Sequence, residues 1–268
     1  AVRTGQGPKV LFLHGVGLRA EAWGGQIEEF ARDYTVIAPD MPGHGESNAL
    51  VKPDPALVDY VAEVRSALAI ERGVVVVGHS MGAMIALQLA AHAPELVRGV
   101  VALNAIYRRS AAATAAVVAR AARLDGVSLP DPSQTLARWF DDLGAVEALA
   151  CREWLMGVDP MGYRAAYKVF AREDGPAAAD LEGLAMPALF MTGEKEPNST
   201  GDMSREMARL APQGEVQILA GAAHMMPRNS SWGMGYPRRP GGMGSEKKRP
   251  WHQPPRDGVV APSLAASV

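Results

Sequence analysis

The chain of 268 residues carries 27 Lys and Arg against 29 Asp and Glu, a net charge of −2, with 48% apolar and 21% charged residues, which suits one large globular domain with a substantial core. The near balance of charge argues against nucleic acid or a membrane surface as the partner and leaves a small organic substrate. One cysteine, Cys151, rules out an internal disulfide, no Cys/His spacing suits a metal, and without a visible leader or an 18-residue apolar run the expected setting is cytoplasmic.

Lys9 to Leu13 (Lys-Val-Leu-Phe-Leu) predicts a short strand ending at His14-Gly15-Val16-Gly17. A glycine-flanked turn straight after a strand lets backbone N–H groups approach a ligand, so Val16 N–H is a candidate oxyanion donor and His14 a brace for the turn. Trp23, Ile27 and Phe30 predict a helix over 21–32, and Tyr34 to Ala38 predicts a strand. It runs into Asp40-Met41-Pro42-Gly43-His44-Gly45-Glu46-Ser47, read as a rigid loop whose polar side chains satisfy its own backbone. Leu57, Val61, Val64, Leu68 and Ile70 predict an amphipathic helix over 56–70.

Val74-Val75-Val76-Val77-Gly78-His79-Ser80-Met81-Gly82 follows, then an apolar helical run. This is strand, sharp turn and helix with a serine at the bend, which lifts a hydroxyl clear of the sheet. Gly78 and Gly82 remove Cβ atoms that would collide there, and Met81 N–H, at the helix start, can hold an oxyanion. Val97 to Asn104 is a further strand. Alternating strands and helices at this spacing imply a parallel sheet covered on both faces, with ligands at the carboxyl ends of its strands.

From Tyr107 to about Ala185 the strand signals stop, and helices are predicted around 110–124, 134–142, 146–157 and 160–173. They read as an insertion whose aromatic residues mostly pack together. Trp139, Trp154 and Met156 are expected to roof a pocket over Ser80. Cys151 reads as a small buried hydrophobe. Met186 to Thr192 resume a strand, 202–211 a helix, and Glu215 to Leu219 the last strand. His224 follows on a loop, where a general base can fold back over the sheet edge.

Leu-His-Gly at 13–15, Asp-Met-Pro-Gly-His-Gly-Glu-Ser at 40–47, Gly-His-Ser-Met-Gly at 78–82, Gly-Glu-Lys-Glu at 193–196 and Gly-Ala-Ala-His at 221–224 occur in this order. Over roughly residues 8–227 the chain resembles the α/β-hydrolase fold superfamily, and within it the capped enol-lactonase, esterase and C–C hydrolase members. The resemblance implies an α/β fold: a mostly parallel, doubly wound sheet over 1–106 and 187–227 with an inserted helical cap over 107–186. It implies Ser80 as nucleophile, His224 as base, and backbone N–H groups of Val16 and Met81 as oxyanion hole. The acid usually stands three residues after the glycine that ends its strand, which gives Glu196, with Glu194 the second candidate.

The expected activity is cofactor-free hydrolysis of an ester or lactone of a small organic substrate through an acyl-enzyme. C–C bond hydrolysis, cofactor-free oxygen chemistry and ligand binding without turnover are the alternatives. No metal, nucleic acid or membrane is implied, and the oligomeric state is open.

Two departures from the pattern stand out. The antiparallel strands that usually open the fold look truncated ahead of Lys9. The stretch 228–268 holds 6 Pro and 6 Gly, with seven Lys or Arg against two Asp or Glu, a disorder-type composition where the family places an amphipathic helix. A shifted reading frame would leave that abrupt change, and a genuine disordered extension is the other reading.

Overall fold

A computed structural model describes residues 1–67 and 73–228. Leu68 and Ile70 of the expected helix, and the tail from residue 229 on, lie outside the described residues.

The valine run forms β4 (Val74–His79), buried at every position, as a strand covered on both faces must be. Around it lies a seven-stranded sheet in the order β1-β3-β2-β4-β5-β6-β7. β2 (Lys9–Leu13), β3 (Thr35–Ala38), β5 (Val97–Leu103), β6 (Ala188–Gly193) and β7 (Gly214–Leu219) run parallel to it. β1 (Val2–Thr4) pairs antiparallel with β3. An antiparallel strand does therefore precede Lys9; three residues are too few to show a strand period in sequence.

Against the sheet pack α1 (Gly24–Phe30), entered through a 3₁₀ turn at Ala20–Trp23, α2 (Leu57–Ala67), α3 (Met81–His92) and α9 (Gly201–Leu210). α3 is apolar nearly all round, with Met81 through Leu87 buried, which is what a helix inside a layered core requires. The doubly wound α/β architecture expected from the sequence is the one observed.

Five helices lie between β5 and β6: α4 (Ala111–Ala122), α5 (Ser133–Trp139), α6 (Val146–Gly157), α7 (Pro160–Arg172) and the short α8 (Ala178–Glu182). Only α8 lacks a counterpart among the expected elements. Leu136, Cys151, Leu155 and Tyr163 from this insertion share one cluster with Leu18, Ala22 and Met225 of the sheet loops, so the inserted helices rest on the carboxyl edge of the sheet. α7 begins with Pro160 at its first position and with Asp159 accepting a hydrogen bond from Gly162 N–H at 2.6 Å. Its first turn presses on the 40–47 loop so closely that a Cβ on Gly162 would stand 2.3 Å from the carbonyl oxygen of Gly43.

Candidate active site

Between β4 and α3 a single residue makes the bend. Ser80 has φ 55° and ψ −118°, a conformation that costs a non-glycine residue about 1–3 kcal/mol and is held only where its surroundings enforce it. Its carbonyl accepts from the N–H groups of Ala83 and Met84 at 3.0 and 3.3 Å. Room for the bend comes from Gly78, where a Cβ would lie 2.1 Å from the carbonyl oxygen of Gly82, and from Gly82, where one would lie 2.2 Å from that of Leu13. Met81 opens α3, where helical N–H groups have no intrahelical acceptor.

The turn after β2 is braced by two histidines that stay neutral. His14 Nδ1–H donates to Gly15 O at 2.8 Å while its Nε2 accepts from Met41 N–H at 2.8 Å. His44 Nε2 accepts from Gly17 N–H at 2.9 Å. Burial, with each other's charge adding at His14, pushes His14 down to about 3 and His44 to about 4. Asp40 accepts from the N–H groups of Ala20 and Glu46 at 2.8 and 3.1 Å. The 40–47 loop and the turn after β2 thus satisfy each other's backbone, which fixes Val16 at the cavity it lines with Ser80.

His224 and Glu196 meet across 28 residues. His224 Nδ1 is 2.7 Å from Glu196 Oε2. Glu196 Oε1 accepts from the N–H groups of Asn198 and Ser199 at 2.7 and 3.3 Å, which folds the longer side chain back onto its own loop. Glu196 is only 4% exposed. Burial raises its pKa, but His224 beside it and the two amide hydrogen bonds overcome that and bring it down to about 2. Glu194 points elsewhere, accepting from Gly221 N–H at 2.9 Å. Of the two candidate acids, Glu196 is the one brought to the imidazole.

His224 stands on an irregular loop after β7, and its carbonyl accepts from His79 Nε2–H at 2.9 Å. His79 is fully buried, and desolvation, followed by the nearby His224, lowers it to about 3. It is therefore a neutral donor, the residue of the elbow that ties the base's loop to β4.

Ser80 and His224 line one cavity, together with Gly15, Val16 and Asn104 from the sheet edge. The inserted helices supply the roof through Thr135, Arg138, Trp139, Tyr163 and Tyr167, with Arg109 and Arg120. Trp139, one of the three expected roof residues, lies there with its indole stacked on His224, ring centroids 5.3 Å apart at 23°. Trp154 and Met156 do not line the cavity. Met156 is 59% exposed, and Trp154 packs into the cluster of Cys151 and Leu155. The buried face of α6 runs through Ala148, Cys151 and Leu155, and Met156 falls on the other side of that helix.

Sequence reasoning passed over the arginines. Arg120 donates to Tyr167 Oη at 3.0 Å and Arg138 to Thr135 Oγ1 at 3.1 Å. Among the described residues neither has a carboxylate within salt-bridge distance. Burial and the neighbouring charge of Arg120 lower the pKa of Arg138, with Tyr167, Tyr163 and the Glu196 carboxylate opposing them more weakly, so two cations face one cavity with no carboxylate in direct contact. Arg109 has other work, donating to the carbonyls of Glu173 and Phe170 at the end of α7. One signal was available: Arg120 is the only charged residue in the twelve of α4. Among the described residues no group of three His, Cys, Asp or Glu is placed to hold a metal ion, and no helix is long and apolar enough to cross a membrane.

Residues 10–231 match the model of the alpha/beta hydrolase family. The chain is similar to the (E)-2-((N-methylformamido)methylene)succinate hydrolase of Acinetobacter baylyi, 38% identical over 226 residues that cover 83% of this chain and 85% of that protein. It is also similar to the 2-(acetamidomethylene)succinate hydrolase of Mesorhizobium japonicum, 28% identical with 82% of each covered. In fold it is similar to a thermophilic esterase from Thermogutta terrifontis, with a TM-score of 0.73 at 24% identity over 85% of this chain and 86% of that one.

Proposed function

The chain belongs to the alpha/beta hydrolase family, and from that premise we propose that it is a serine hydrolase opening an acyl bond of a small, carboxylate-bearing organic acid. The observation that carries the chemistry is that Ser80 and His224 line one cavity while the Glu196 carboxylate holds Nδ1 of the same imidazole. Ser80 Oγ attacks the acyl carbonyl while His224 Nε2 takes its proton. The N–H groups of Val16 and Met81 hold the oxyanion that forms. As the tetrahedral intermediate collapses, His224 returns the proton to the leaving group, and the acyl group stays on Ser80. Water then attacks this ester by the same route, releasing the acid and restoring the hydroxyl. Glu196 fixes the imidazole with Nδ1 protonated, so that Nε2 is free to accept.

The bond can be the ester or lactone expected from the sequence, since all acyl bonds share this intermediate. A second reading, an N-acyl bond, is favoured by the names of the two relatives, which are both succinates carrying an acylated nitrogen. The helices over the cavity act as a cap in either case. A fluorophosphonate label on the purified protein tests the chemistry: labelling is expected on Ser80 and absent in Ser80→Ala, and labelling that persists in that variant dismisses the assignment.

The carboxylate on the substrate is inferred from Arg120 and Arg138, whose mutual repulsion a bound anion would relieve. A hydrogen bond to a charged group contributes about 1.5–3 kcal/mol, so Arg120→Gln or Arg138→Gln is expected to raise KM for an N-acyl succinate about 10- to 100-fold. KM for the neutral ester p-nitrophenyl acetate should stay within about threefold. Steady-state kinetics on both substrates checks this, and equal losses on the two would remove the anion from the proposal.

A further inference from the structure

We propose that Trp139 is a positioning residue for the base, and that the end of α5 completes the seat in which His224 is held. The inference rests on the hydrolase reading for its kinetic part. His224 belongs to no helix or strand, so neighbouring groups alone must fix its ring. Its backbone is tied by the hydrogen bond from His79 to its carbonyl, and by its carbonyl's second bond from Met226 N–H at 2.9 Å. Its ring is held at one edge by Glu196, 2.7 Å from Nδ1. A single edge contact leaves the ring free to tilt about that hydrogen bond, and tilting swings Nε2 away from Ser80. His79 lies 4.8 Å from the ring centre but at 58°, so it meets the imidazole at an angle and does not cover a face.

The near-parallel indole of Trp139, at 5.3 Å and 23°, covers a face and opposes the tilt. During turnover the imidazole becomes cationic, and an aromatic face beside a cation is attractive. Trp139 is itself placed from both sides. It is the last residue of α5 and follows Arg138, which lines the cavity. Two residues on, Asp141 Oδ2 takes the ammonium of Lys195 at 2.6 Å, and Lys195 adjoins Glu196. The ion pair is exposed on both partners, so it sets where the α5 end meets the acid's loop more than it adds stability. Substrate binding at Arg138 and alignment of the base are thereby carried on adjacent residues.

The test compares Trp139→Leu with Trp139→Phe, whose ring can still stack. For p-nitrophenyl acetate, Trp139→Leu is expected to lose about tenfold in kcat, the size of an aromatic-pair contribution, with KM within about threefold. Trp139→Phe should stay within about threefold of the parent in both. Independently of turnover, proton NMR of the ligand-free protein reads the Nδ1–H proton shared with Glu196. That far-downfield resonance is expected in the parent and in Trp139→Phe and is lost by exchange in Trp139→Leu. Trp139→Met fills similar space without a ring face and replaces Trp139→Leu if that variant does not fold. A raised KM with unchanged kcat and an intact resonance would make Trp139 a pocket wall and overturn the proposal. If no acyl substrate is turned over, the resonance alone decides: its loss supports the seat while the hydrolase reading fails, and its persistence overturns the seat.

Discussion

Glu196→Gln is expected to lower kcat by about 10⁴-fold, the loss seen when a catalytic imidazole is held in the wrong tautomer. The reason lies in how the carboxylate is shared. Oε1 accepts from the N–H groups of Asn198 and Ser199, so the amide oxygen of a glutamine takes that place and its NH₂ faces His224. An NH₂ group only donates, which forces Nδ1 to accept and puts the ring proton on Nε2, where it blocks transfer from Ser80. Glu194→Gln is the control, because Glu194 only accepts from Gly221 N–H; its kcat should stay within about twofold. Steady-state kinetics on both variants checks the pair, and a loss below about tenfold in Glu196→Gln would return the acid's role to another group. The same carboxylate links stability to pH. Its pKa falls from an ordinary 4.5 to about 2 on folding, so its contribution is full above about pH 4.5 and is lost as pH drops through about 2. Glu196→Gln should lack that part of the acid sensitivity in urea titrations.

Gly78→Ala is expected to destabilise the fold by about 4 kcal/mol, above the roughly 1–3 kcal/mol usual for core overpacking because the new Cβ meets backbone atoms and not side chains. The added Cβ would stand 2.1 Å from Gly82 O and 2.6 Å from Ala83 N, both backbone atoms of the first turn of α3. That turn cannot retreat, because Gly82 itself already lies against the carbonyls of Leu13 and His14. For a domain of this size the loss corresponds to roughly 8–16 °C in Tm, measurable by calorimetry. Gly25→Ala in α1 is the reference: no atom lies within 4 Å of its new Cβ, and a helical Gly→Ala exchange gains about 0.5–1 kcal/mol. Equal melting of Gly78→Ala and the parent would mean that the elbow is looser than its geometry implies.

How much of this was legible in the sequence depends on the range over which each feature is decided. The elbow was legible because everything it needs is local. Four valines make a buried strand, Gly78 and Gly82 remove the clashing atoms, and an apolar run continues as a helix, all within fifteen residues. His14 could be read as a brace from its glycine-flanked turn, but that His14, His44 and Asp40 bond across between that turn and the 40–47 loop was decided by packing. The short β1 was not legible, since its pairing is with β3, some 34 residues away.

The insertion shows where local pattern fails. Its helices were placed by period, yet the choice of which side chains face the cavity went to packing between helices. α6 turned Ala148, Cys151 and Leu155 inward and left Met156 in solvent, although Met and Trp are good pocket residues in the abstract. Arg120 and Arg138 reached the cavity because α4, α5 and α7 converge over it, and no spacing of arginines announces that.

The sequence by itself determined the elbow at Ser80 with its strained bend, the alternation of strands and helices in the sheet, and a histidine placed late in the chain, because short-range sterics and periodicity govern these. Only the tertiary structure decided that Glu196 and not Glu194 meets His224, that two arginines share the cavity with no carboxylate in salt-bridge distance, and that Trp139 covers the imidazole. Each is a contact between residues brought together by packing, where a difference of one loop residue or one helical face changes the partner.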